Sequence, residues 1–168
     1  QTEVYARLSA DPSKLRIVVI PGNPGNVTVY ETFIDEVYRL LGGRSSVYGM
    51  SHAGHGAPGQ NGDRIFTVNE QIEHKVAFLN GLVAGTWPEL KEKDLAKQSN
   101  NFVLMGHSIG AYISLKVWRR THKTAVNVTD AFLLMPTICE LYKGYSTFNR
   151  IVTLPYVRNA FACLAHYA

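Results

Sequence analysis

Cysteine is scarce in this chain: Cys139 and Cys163 are the only two, both late among 168 residues. That excludes a disulfide framework and points to a reducing compartment. Runs of one charge are missing too. Seventeen basic and thirteen acidic residues give a formal +4, but they are dispersed, and residues 91–94 (KEKD) mix signs. Nucleic-acid binding gains little support from such a pattern. No stretch reaches the roughly 18 apolar residues of a membrane span, and no charged segment followed by an apolar run marks a signal peptide. Metal-ligating clusters are also lacking. His52 and His55 form an H-x-x-H in a loop without further ligands, so neither a metal nor a cofactor is expected. Both ends read as cut, since Gln1 is not an initiator and residues 160–168 (AFACLAHYA) stop without a cap or polar tail.

What remains is a core. At 46% hydrophobic, the chain holds material for one globular unit. Residues 15–20 (LRIVVI) are β-branched and bounded by Pro21-Gly22, as in a buried strand. Apolar residues at 30, 33, 34, 37, 38 and 41 follow a helical period that Gly42-Gly43 ends. Residues 46–50 (SVYGM) predict a second strand, and residues 52–59 a glycine-punctuated loop. Thr67 and Glu70 form a capping box opening a helix with Ile72, Val76, Leu79 and Val83 on one face, which Trp87-Pro88 should stop. Residues 102–105, a helix from 109 to about 118, and residues 131–135 complete a β-α-β-α-β-α-β alternation. The fold class expected is α/β, a three-layer sandwich with a mostly parallel sheet, its site at the C-terminal strand ends.

The chemistry centres on Gly106-His107-Ser108-Ile109-Gly110, a G-x-S-x-G pattern. Alone it arises by chance in roughly one chain in twenty of this size. A strand directly before it and a helix directly after it make it a nucleophile elbow, with Ser108 as nucleophile over a helix N-terminus. The backbone N–H of Ile109 and one from the Pro21 loop would then form an oxyanion hole. Asn23 is the residue chosen in that loop because Pro24 has no N–H, although residues 21–25 also read as a merely stiff turn. His52 and His55 read as structural or pocket-lining. His107 is expected to line the pocket beside the nucleophile while facing another way, and His74 is expected on a helix face.

Residues 20–25 (IPGNPG), 51–55 (SHAGH), 69–79 (NEQIEHKVAFL), 106–112 (GHSIGAY) and 131–138 (AFLLMPTI) together resemble the α/β-hydrolase superfamily, and more narrowly the lipid-droplet-associated hydrolase family. The resemblance implies a serine-hydrolase fold acting on, or residing near, neutral lipid at droplets and the endoplasmic reticulum. In that superfamily the order is Ser, acid, His. After Ser108 only Asp130, Glu140, His122 and His166 are available. Asp130 is expected before its strand and His122 at the far end of the elbow helix, about 20 Å from Ser108. Glu140 and His166 fall in what resembles a lid or membrane-facing insert. The expectation is an N-terminal portion of the hydrolase core over residues 1–138 and the start of that insert over 139–168, lacking the later triad members and inactive by itself. Residues 151–168 could lie on a lipid monolayer or pack as a cap helix. The expected partners are a neutral lipid ester and a droplet or endoplasmic-reticulum surface, on its cytosolic face. The alternative is a non-catalytic droplet or interaction protein that keeps the elbow as architecture. Sequons at Asn26 and Asn127 argue mildly for the cytosolic side, since a glycan at Asn26 would obstruct the site.

Overall fold

The computed structural model describes residues 2–10, 15–55, 64–87, 90 and 99–138. The chain divides into two units, Gln1–Thr137 and Ile138–Ala168. The expectations placed on residues 139–168, including Glu140 and His166, lie outside the described residues.

The β-branched and apolar runs of the first unit pair into one five-stranded sheet: β1 Val4–Arg7, β2 Arg16–Ile20, β3 Ser46–Met50, β4 Asn101–His107 and β5 Asn127–Leu134, in the order β1-β3-β2-β4-β5. The last four run parallel, as expected of apolar strands joined by helices. β1 is an addition, antiparallel to β3 at the sheet edge. Its four residues are too short to show a period, and their pairing partners lie some forty residues downstream.

Alternation along the strands divides the core. Ile17, Val19, Val27, Val47 and Val103 face α1 (Glu31–Leu40), whose Ile34 is fully buried among them. Val18, Ile20, Tyr48, Phe102 and Leu104 face the opposite side, packed with residues of α2 (Val68–Ala84) and α3 (Ile109–Thr121). Helices therefore cover both faces, giving the three-layer α/β sandwich. Surface pairs hold the layers in register. Arg7 makes two bonds to Asp35, at 2.6 and 2.7 Å, tying β1 to α1, and this pairing holds the Asp35 carboxyl at about 2.

Two boundaries differ from expectation. α2 opens on the Thr67–Glu70 capping box but ends at Gly85, whose left-handed φ of 68° closes the helix before Trp87-Pro88 is reached. Trp87 instead folds back on Phe78, ring centroids 5.2 Å apart. β5 begins at Asn127, so Asp130 lies inside the strand rather than before it, exposed and opposite Val103. Being inside the strand does not bring it to the site: four residues separate it from Leu134, about 13 Å at the rise of a strand. His122 caps the C-terminus of α3, the end away from Ser108.

Candidate active site

Parallel register brings the C-terminal ends of the strands together. Ile20 of β2 pairs with Gly106 of β4, Val19 with Gly49 of β3, and His107 with Leu134 of β5. The loops that follow, 21–26 and 51–55, therefore share one edge of the sheet with the turn at Ser108.

Ser108 joins β4 to α3 at φ 52° and ψ −119°, a conformation that side chains rarely adopt. The surroundings over-determine it. Its N–H donates to Leu134 O at 2.9 Å, and its carbonyl accepts from Ala111 N and Thr137 N, each at 3.1 Å. Gly106 and Gly110 permit the turn: a methyl on Gly106 would collide with Gly110 O and Ser114 Oγ, and one on Gly110 with the backbone oxygens of Ile20 and Pro21. The Ser108 Oγ lies 3.3 Å from Thr137 Oγ1, and no histidine bonds to it among the described residues.

Asn23 and Ile109 border one cavity of about 190 Å³, together with His52, His55, Phe66 and Gln71. Neither N–H has a partner among the described residues. Ile109 opens α3, so the free amides and dipole of that helix start at the same place. Gly22 N–H is taken by Tyr30 Oη at 2.9 Å and Pro24 has none, which leaves Asn23 as the free donor between them.

His52 and His107 line two different cavities. His52 sits beside Asn23 and Ile109, 5% exposed, its ring edge-on to His55 at 5.7 Å. Burial, and then the charges of Lys75, His55 and His74, push it down to about 3, which the nearby Pro21 carbonyl only partly offsets. No hydrogen bond of ordinary geometry reaches either ring nitrogen, so the ring is a neutral wall near pH 7. His107 faces the α1 side and borders a larger cavity of about 430 Å³ with Val19, Val29, Phe33, Met105 and Leu134. Ser108 thus has a neighbour on each side lining one cavity. His74 is half-buried, bonded to Thr2 Oγ1 at 2.8 Å, and lowered to about 4 by burial and Lys75. Among the described residues no group of three His, Cys, Asp or Glu side chains could hold a metal ion.

Sequence reasoning missed three residues of this edge. Thr137 gave no signal, because a threonine after a Met-Pro turn is ordinary loop chemistry. Tyr30 read only as an apolar helix position, and Lys75 only as a helix residue, whereas it is fully buried with its Nζ donating to Ser51 O at 2.8 Å.

The model of the lipid-droplet associated hydrolase family matches residues 13–168. The lipid droplet-associated hydrolase of Dictyostelium discoideum is 34% identical over 99% of this chain and 53% of its own length. The human protein of that name is 37% identical over 82% of this chain and 42% of its own. The chain thus spans about half the length of the curated relatives it matches. A putative hydrolase from Agrobacterium vitis shares the fold with a TM-score of 0.63 at 17% identity, over 90% of this chain and 54% of that one. The type II thioesterase BorB does so at 0.58 and 16%, over 92% and 60%. With five strands, flanking helices and a serine elbow in place, the chain belongs to the lipid-droplet-associated hydrolase family.

Proposed function

We propose that Ser108 is the nucleophile of a serine ester hydrolase acting on an apolar lipid ester at a lipid-droplet or endoplasmic-reticulum surface. The observation that carries this reading is a strained Ser108 followed directly by Ile109, which borders one cavity with Asn23, the amides of both being unbonded among the described residues. Ser108 Oγ attacks the ester carbonyl and passes its proton to a histidine that follows it in the chain. The carbonyl oxygen, now an anion, accepts from the two amides; loss of one such donor costs about 10²–10³ in rate. The larger cavity, walled by Val19, Val29, Phe33 and Met105, suits the apolar part of an acylglycerol or sterol ester. The droplet follows the name of the relatives, and the endoplasmic-reticulum surface is part of the proposal alone.

Among the described residues Ser108 has Thr137 for a neighbour and no base, and we expect almost no turnover from the 168 residues alone. The test is labelling of the full-length protein by a fluorophosphonate probe. Labelling that disappears in Ser108→Ala supports the reading. A full-length protein that is folded but unlabelled, and whose Ser108→Ala variant keeps its effect on droplets, would instead favour a non-catalytic scaffold.

A further inference from the structure

We infer that Tyr30 is a positioning residue of this site: its hydroxyl clamps the loop that offers Asn23 to the strand end that carries Ser108. The inference rests on the hydrolase reading above. Tyr30 Oη accepts from Gly22 N at 2.9 Å and meets His107 Nδ1 at 2.7 Å. A phenol has one proton to give. Beyond the lone pair engaged by the Gly22 N–H, the hydroxyl either gives that proton to His107 Nδ1 or accepts one from it on its second lone pair, and in both cases the oxygen bonds both groups. One oxygen thus ties the residue before Asn23 to the residue before Ser108.

The clamp is itself anchored. Tyr30 ends a short 3₁₀ turn, Val27–Tyr30, that Asn26 caps through a 2.8 Å bond from Thr28 N, and whose Val27 N donates to Ser51 Oγ at 2.9 Å. The far side of the loop is held separately, by His52 N on Gly25 O at 2.7 Å and by His55 Nδ1 on Pro24 O. Asn23 lies between these two fixed points. Loop and elbow already touch, since a methyl on Gly22 would lie 2.9 Å from both His107 Nδ1 and Ser108 Cβ. In contact this close, a small shift of the loop moves the Asn23 amide relative to Ser108. Displacement of a catalytic group by about 1 Å costs roughly 10² in rate.

Tyr30→Phe keeps the ring that walls the larger cavity and packs against His107, centroids 5.9 Å apart, and removes only the hydroxyl. In the full-length protein, with a soluble short-chain ester, we expect kcat to fall about 10- to 100-fold while KM stays within about threefold. The rate of fluorophosphonate labelling should fall in parallel. Tyr38→Phe is the control: its hydroxyl donates to Leu8 O at 3.1 Å, so its loss lowers the melting temperature without moving kcat. Wild-type enzyme that labels at Ser108 while Tyr30→Phe matches it in kcat would overturn the clamp and leave the hydrolase reading standing. Wild-type enzyme that never labels would remove the reading itself. Should Tyr30→Phe fail to fold, nitrogen NMR of the wild-type His107 ring decides: an Nδ1 shifted by a hydrogen bond supports the clamp, and an Nδ1 with the shift of an unbonded imidazole nitrogen overturns it.

Discussion

Replacing Lys75 by methionine should stabilise the protein at acid and neutral pH, by an amount that shrinks above about pH 7 and is gone by about pH 9 to 10. Lys75 is 1% exposed, its ammonium donates to Ser51 O, and its next neighbour is His74 Nδ1 at 3.2 Å; no described carboxylate pairs with it. Burial alone lowers it from about 10.5 to about 7. Between those values the unfolded chain holds a proton that the folded chain has released. Wild-type stability therefore rises with pH across that window, by up to about 1.4 kcal/mol per unit. At pH 6 both states are protonated, and keeping the charge buried costs about 4–5 kcal/mol. Methionine fills the same unbranched volume without charge but strands the Ser51 carbonyl, a loss of about 1–3 kcal/mol. The balance is a gain of about 2 kcal/mol at pH 6. By pH 10 the gain vanishes and the stranded carbonyl leaves the variant slightly weaker. Urea unfolding of both proteins at pH 6, 7.5 and 9 measures it. A difference between the two that does not shrink as pH rises, or a variant weaker at pH 6, would refute the argument.

Acid should weaken the fold before any carboxylate titrates. His52 and His74 are held near 3 and 4, so below about 6.5 the unfolded chain takes up protons that the folded chain refuses, and stability falls as pH drops from 6.5 to 4.5. Unfolding midpoints that stay level over that window would contradict it. Asp35 and Glu70, lowered from 3.8 and 4.5 to about 2, add their loss as pH falls below about 5. Thr67→Ala removes the side-chain half of the α2 capping box, the hydroxyl that accepts from Glu70 N, and leaves the backbone N–H of residue 67 on the Glu70 carboxylate; it should cost about 1 kcal/mol in urea unfolding without changing Ser108 labelling. Gly110→Ala should cost at least about 1–3 kcal/mol and abolish labelling, because its methyl has only backbone oxygens to displace; normal labelling in the folded variant would show that the elbow can yield. Deleting residues 139–168 from the full-length protein should move it from droplets to the soluble fraction; unchanged droplet association would move the anchor elsewhere.

Local rules carried the sequence reading well where the structure depends on neighbours in the chain. The capping box at Thr67, the Gly42-Gly43 stop and the strand at residues 46–50 all stand where composition placed them. The reading of α2 was less complete. Of its stripe Ile72 and Leu79 are buried and Val76 and Val83 only partly so, while Gln71, Lys75, Phe78 and Leu82 are buried too. A glutamine enters a core only if its amide is satisfied, and Gln71 exchanges two 2.8 Å bonds with the backbone of Ala53. That partner lies in a different loop, so no window along the helix could reveal it. The same holds for Tyr30 and His107, 77 residues apart, whose hydrogen bond exists only once β2 and β4 are side by side.

The oxyanion site proposed at Asn23 and Ile109 would work by dipoles rather than by a full charge. The ion pairs Arg7–Asp35, Arg39–Glu36, Arg64–Glu70 and Arg120–Glu73 are all at the surface. The one imidazole buried beside Asn23 and Ile109 is kept neutral by burial and by Lys75. A full positive charge there would hold a carboxylate product as firmly as it held the developing anion, lowering the ground state along with the transition state. Two amides and a helix N-terminus favour the oxygen most when its charge is greatest and nearest, which is at the tetrahedral stage. On this argument His52→Lys, introducing a cation beside the same cavity, should raise affinity for carboxylate inhibitors while lowering kcat. A variant that binds such an inhibitor no better than wild type, with kcat unchanged, would mean that His52 does not border the reacting atoms.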